Sequence, residues 1–268
     1  MLDHISVSQI NLYLMCSLKY RFNYIDQLEK PFKPAGLAFG SSFHAALEWL
    51  HKQRLNDEDY SPDTLVSIFK ADWQAQNCEE IRFKKGDSAE SLRDTGEKML
   101  LKYLEQVPRT KPREVELEFR IPLINPETGE ILELDLKGVI DLIEENDTIV
   151  DHKTSARVMD ENAIANSLQL TAYSYAYRQL FGRKESGIRI DNITKTKRPR
   201  IERFPAVRNE QDHVRLFSIA KGVLTGILNE IFIPNPSWMC ADCEFAEHCR
   251  NWKGDLISHN KILEEVKL

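Results

Sequence analysis

The chain has 268 residues, 42% of them hydrophobic and 29% charged, the composition of an ordinary globular protein, which excludes a largely disordered or low-complexity architecture. No run approaches the ~20 apolar residues of a membrane span, and the opening MLDHISVSQI lacks the basic start and apolar centre of a secretion signal, so a cytoplasmic protein is expected. A net charge of −6 excludes a protein that is basic all over, and leaves phosphate binding to local segments.

No repeat or long linker divides the chain. Residues 1–268 read as one domain, mainly helical over 1–110, with a sheet core over 111–235 and a cysteine-rich region over 236–255. In SVSQINLYLMC, Ser6 or Ser8 can cap a helix in which Ile10, Tyr13 and Leu14 fall at helical spacing. The segment AFGSSFHAALEWLHKQR predicts a second helix with Phe39, Phe43, Leu47 and Leu50 as its apolar stripe. Gly40 stands one turn before His44 and leaves the space over that imidazole open. Residues 61–105 also read as mainly helical, with Phe69, Trp73, Leu100, Leu101 and Leu104 as core contacts.

The pattern changes at VELEFRIPL. There Val115, Leu117, Phe119 and Ile121 alternate with Glu116, Glu118 and Arg120, as in a half-buried strand. After the turn NPETGE, Leu132, Leu134, Leu136, Ile140 and Leu142 share one face of a second strand, and Glu133, Asp135, Lys137 and Asp141 share the other. Gly138 interrupts it and marks either a bulge or a close approach to something bound. LIEENDTIVDHK then reads as a hairpin with its tip near Asn146, pairing Leu142 with Val150 and setting Asp141 opposite Asp151. Opposed carboxylates repel, and a divalent cation between them would relieve that; pairing of one acid with Lys153 or Lys137 is the plainer alternative. A helix is predicted over 161–181, with Gln169 and Tyr173 four apart on one face. From 183 to 203 eight Lys or Arg residues stand against three acids, a local basic segment. Near the end, Cys240, Cys243 and Cys249 form a C-x2-C-x5-C array, which implies a metal and needs a fourth ligand: Cys16, Cys78 or, for zinc, His248.

GSSFH, KGVIDLI, IVDHKTS and QLQLTAY, in this order and spacing, resemble the motifs of the PD-(D/E)xK nuclease superfamily, closest to its RecB-like branch with the AddB-type and CRISPR-associated exonucleases. The resemblance implies an α/β, restriction-endonuclease-like fold: a mixed central sheet flanked by helices, with an N-terminal helical region and a C-terminal cysteine cluster. It implies His44, Asp141 and Asp151 as metal ligands for Mg²⁺ or Mn²⁺, completed by the backbone carbonyl of His152. By the same resemblance Lys153 matches the lysine that orients or activates the attacking water, and Gln169 and Tyr173 match the QxxxY element associated with DNA contact and support of the site. Glu116 matches a further glutamate of the branch, with Glu118 on the same face as the other candidate. Cys16 matches the first ligand of a 4Fe-4S cluster completed by Cys240, Cys243 and Cys249, with structural zinc as the alternative. Lys195, Lys197, Arg198 and Arg200 lie in a strand pair that would track DNA.

The function implied is a metal-dependent DNA exonuclease acting on single-stranded ends, with CRISPR or recombination proteins as partners. The alternatives are an endonuclease or helicase-associated nuclease subunit, and a nucleic-acid-binding module that does not cleave.

Overall fold

The computed structural model describes residues 2–76, 80–107, 109–156 and 159–254; Cys78 and the tail 255–268 lie outside the described residues. A two-residue strand, β1 (Ile5–Ser6), runs into helix α1 (Val7–Met15). Ser6, not Ser8, is the cap: its hydroxyl accepts the Gln9 N–H, while Gln9 Oε1 accepts the Ser6 N–H at 2.8 Å, a reciprocal arrangement contributing about 1 kcal/mol. After Cys16 come α2 (Ser17–Tyr20) and a π-helical turn, Arg21–Ile25.

The helical region continues through β2 (Lys33–Pro34), α3 (Ala35–Leu55), α4 (Pro62–Gln76), β3 (Ile81–Arg82) and α5 (Ala89–Gln106). Residues 61–105 are mainly helical as expected, in two helices, with β3 between them pairing in parallel with β2 at the foot of α3. Phe39, Phe43, Phe69 and Trp73 form one aromatic core with ring centroids 5.7–6.4 Å apart. Leu101 is exposed, since Met99, Leu100 and Tyr103 already occupy the packed face of α5; Leu14 is likewise exposed on α1.

The sheet comprises β1, β4 (Pro112–Ile121), β5 (Leu136–Glu144), β6 (Thr148–Ser155), β7 (Gly187–Thr194) and β8 (Ile201–Ala206). β4–β5, β5–β6 and β7–β8 are antiparallel, whereas β1–β5 and β6–β7 are parallel. β5 begins at Leu136, later than the alternation from Leu132 suggests. Gly138 is neither bulged nor open: it pairs directly with Phe119, and a Cβ there would meet the Phe119 ring at 2.5 Å. The missing side chain makes room for that ring.

The helix expected over 161–181 is two: α6 (Glu161–Ala165) ends at Asn166, and Ser167 caps α7 (Leu168–Phe181). Helix α8 (Glu210–Leu228) and the short α9 (Ala246–Asn251) complete the chain as described. Helices α1, α7 and α8 pack with Ile149, Ile188 and Ile190 in one core, while α3, α4 and α5 pack with Ile193 and Ile201 in another. This is the α/β architecture expected, a mixed sheet flanked by helices. Among the described residues no helix is long and apolar enough to cross a membrane.

Candidate active site

The site lies where the sheet opens. β4 occupies one edge of β5 throughout, so β1 at Leu136–Lys137 and β6 at Leu142–Ile143 share the opposite edge and leave a gap between them. The hairpin keeps the symmetric register expected, but regular pairing stops at Leu142 and Val150. Continued ladder pairing would press two carboxylates together. Instead Asp141 Oδ2 accepts the His152 N–H at 2.8 Å, filling the place of a strand carbonyl.

His44 enters from α3, its Nδ1 3.6 Å from Asp141 Oδ2. Glu116 arrives from β4, between Val115 and Leu117, which pair with Leu142 and Ile140 on either side of Asp141. Its φ of +49° is left-handed, a conformation an L-residue adopts only under constraint. One ligand atom from each of His44, Glu116 and Asp141 lies within 4.8 Å of the others. Glu118 is exposed and outside this group.

Asp151 is fully buried; its Oδ1 accepts from Lys153 Nζ at 2.9 Å and its Oδ2 has no partner among the described residues. An unsatisfied buried oxygen costs roughly 1–3 kcal/mol, more when charged. Burial is the first cause that lifts all three acids, followed at Glu116 by repulsion from Asp141 and Glu48: Asp151 rises to about 6, Glu116 to about 8, and Asp141 above its ordinary value. Burial and the Lys153 charge push His44 down, leaving a neutral imidazole with a free lone pair. Burial opposes the Lys153 charge, but Asp151 and Asp141 hold its ammonium above the ordinary lysine value. Buried acids, a neutral imidazole and an orphaned carboxylate oxygen are a donor set that fits a hard divalent cation.

Tyr173 donates to Asp141 Oδ1 at 3.3 Å and is itself hydrogen-bonded by Gln169, one helical turn earlier on α7. The Nδ1 of the His152 ring lies 3.9 Å from Asp141 Oδ2, while through Nε2 the ring joins a buried network with Tyr103 and His51. Sequence reasoning passed over those two residues, although His51 stands seven positions after His44 on the same face of α3.

The basic segment is less open than its composition suggests. Arg189 is committed to Glu144 at 2.7 and 2.8 Å and to Asp191 at 2.8 Å, and Arg183 to Asp147. Lys197, Arg198 and Arg200 are exposed in the loop between β7 and β8, while the Lys195 ammonium sits 4.2 Å over the Phe39 ring. That loop leaves the sheet beside Ser155, where the Lys195 N–H meets the Ser155 carbonyl at 2.7 Å, two residues past Lys153. It is therefore at the site's end of the sheet.

Cys16, Cys240, Cys243 and Cys249 are free thiols lining one cavity of about 350 Å³. The chain ends that carry them are joined without any cysteine: Leu18 N–H to Ile233 O at 3.1 Å, Asn235 Nδ2 to Met15 O at 2.9 Å, and Lys19 to Glu244 at 2.7 Å. Burial, then the other three thiols, raises the Cys249 thiol. His248 does not line the cavity and faces Phe22 instead.

A family model described as the PD-(D/E)XK nuclease superfamily matches residues 4–250. No curated protein matches the sequence. Among solved structures, a candidate exonuclease from Eubacterium rectale is similar with a TM-score of 0.61 at 16% identity, over 94% of this chain and 89% of that one. The structure of SSO0001 gives a TM-score of 0.36 at 16% identity, over 92% and 98%. The first likeness establishes the fold as restriction-endonuclease-like.

Proposed function

The chain belongs to the PD-(D/E)XK nuclease superfamily, and from that premise we propose that it is a divalent-metal-dependent exonuclease acting on single-stranded DNA ends, with a structural 4Fe-4S cluster. The observation that carries the reading is the orphaned, buried Oδ2 of Asp151 beside the convergent His44, Glu116 and Asp141. Mg²⁺ or Mn²⁺ held by these residues would polarise the scissile phosphate and acidify a coordinated water. Lys153, anchored on Asp151 but with its side chain 44% exposed, reaches toward substrate, where its ammonium orients the nucleophile and offsets charge on the phosphoryl oxygens. Tyr173 and Gln169 hold Asp141 in place. Lys197, Arg198 and Arg200 give sequence-independent phosphate contacts.

Four thiols lining one cavity are a ligand set for a 4Fe-4S cluster, with a single tetrahedral zinc as the alternative. Anaerobically purified protein should carry iron and acid-labile sulfide, both lost in Cys16→Ala; zinc in their place refutes the cluster.

The exonuclease reading is tested with circular and end-labelled linear single strands. Digestion of the linear strand alone is the expected result, and the label that is lost first gives the polarity. Cutting of the circle makes the protein an endonuclease. Tight binding without cleavage makes it a binding module.

A further inference from the structure

Beneath the acids, between α3 and α5, three buried side chains form a hydrogen-bonded line. His51 Nε2 lies 2.8 Å from the Tyr103 hydroxyl, which lies 3.0 Å from His152 Nε2. Tyr103 is fully buried and each histidine is 3% exposed. A hydroxyl has one proton, so it donates to one of these nitrogens and must accept from the other.

The two directions are not equivalent. If Tyr103 donates to His152 Nε2, the His152 proton sits on Nδ1, which faces Asp141 Oδ2 at 3.9 Å. The reverse would turn a lone pair toward that carboxylate. The separation is long for a hydrogen bond, yet in a buried setting an N–H dipole aimed at a carboxylate is clearly preferred to a lone pair. His51 Nε2–H therefore donates to Tyr103, and Tyr103 to His152.

We infer that Tyr103 is a positioning residue for the metal site, fixing the tautomer and seat of His152 and, through His152, the alignment of Asp141 and His44. The His152 backbone N–H holds Asp141 Oδ2 at 2.8 Å. Helix α3 touches the His152 ring twice: His51 stacks on it at 5.5 Å and 20°, and His44 meets it edge-on at 6.5 Å. The seat of His152 is thus shared with the face of α3 that carries His44.

This inference rests on the metal-site reading, and its test separates the two. Nitrogen NMR of ¹⁵N-histidine protein with Mg²⁺ should find His152 protonated on Nδ1 and bare on Nε2. Manganese binding followed by EPR should weaken about 10- to 100-fold in Tyr103→Phe, the range for loss of a group supporting metal ligands, with the KM for DNA unchanged. His51→Gln, which keeps an N–H donor, should retain affinity better than His51→Leu. His152 protonated on Nε2, or Tyr103→Phe binding Mn²⁺ within twofold of wild type, overturns the inference. If Tyr103→Phe does not fold, the wild-type tautomer decides alone. Wild-type protein that binds no Mn²⁺ refutes the metal site itself, while the tautomer still judges the relay.

Discussion

Lys153 and Asp151 form a half-satisfied pair: the ammonium lies 2.9 Å from Oδ1, and Oδ2 of the same buried carboxylate meets no donor among the described residues. Replacing Lys153 with Met should lower cleavage on the order of 10²–10³-fold, the usual loss for one charged group aimed at developing oxyanion charge. It also leaves Asp151 uncompensated, so the metal-free variant should melt below wild type and recover most of that difference in Mn²⁺. Melting with and without Mn²⁺, beside cleavage rates, checks both.

The raised acids make metal-free stability fall as pH rises. Asp151 at about 6 and Glu116 at about 8 stand above unfolded values of about 3.9 and 4.3. The native state therefore holds more protons than the unfolded chain across that window. Their neutral forms are matched to the fold at low pH, and the advantage is lost as pH climbs through 6 and then 8. A bound cation favours the ionised forms, so Mn²⁺ should raise the Tm more at pH 8 than at pH 6. An equal shift at both would contradict the proton–metal competition.

An imidazole among carboxylates softens the site. Mn²⁺ should support cleavage at least as well as Mg²⁺, and His44→Ala should lose more activity in Mn²⁺ than in Mg²⁺. Parallel metal titrations of the two proteins decide it; strict Mg²⁺ preference in wild type would remove His44 from the ligand set.

Phe119 and Gly138 are an interlocked pair on β4 and β5. A Cβ on Gly138 would stand 2.5 Å from the ring, so Gly138→Ala should cost about 1–3 kcal/mol by overpacking. Phe119→Ala should cost about 3–5 kcal/mol. The double variant should be less destabilised than the sum, because the added methyl fills part of the space the ring leaves. Urea unfolding of the three variants measures the coupling.

The placement of the candidate residues was legible where they sit on periodic elements. His44, Asp141, Asp151, Lys153, Gln169 and Tyr173 each come from a helix or strand whose apolar pattern sets its register, and the hairpin symmetry about Asn146 follows from a polar centre between two apolar pairs. Long-range pairing was not legible: β1 is two residues long, and its place beside β5 depends on Leu136 and Lys137, more than a hundred positions away. Gly138 misled for the same reason, since nothing local announces the Phe119 ring. Glu116 and Glu118 share a strand face in sequence, and only the left-handed turn at Glu116 separates their fates. Tyr103 carries no signal of its own in the sequence, because its meaning lies in two histidines from other elements.

The most direct test follows digestion of end-labelled linear single-stranded DNA by anaerobically purified wild-type protein and Asp151→Asn, in Mn²⁺ and in EDTA. Asp151→Asn removes the buried negative charge at little change in shape, so a folded but inactive variant is expected. Rapid loss of full-length strand is expected only for wild type with Mn²⁺. Equal digestion by Asp151→Asn, or digestion that persists in EDTA, would contradict it.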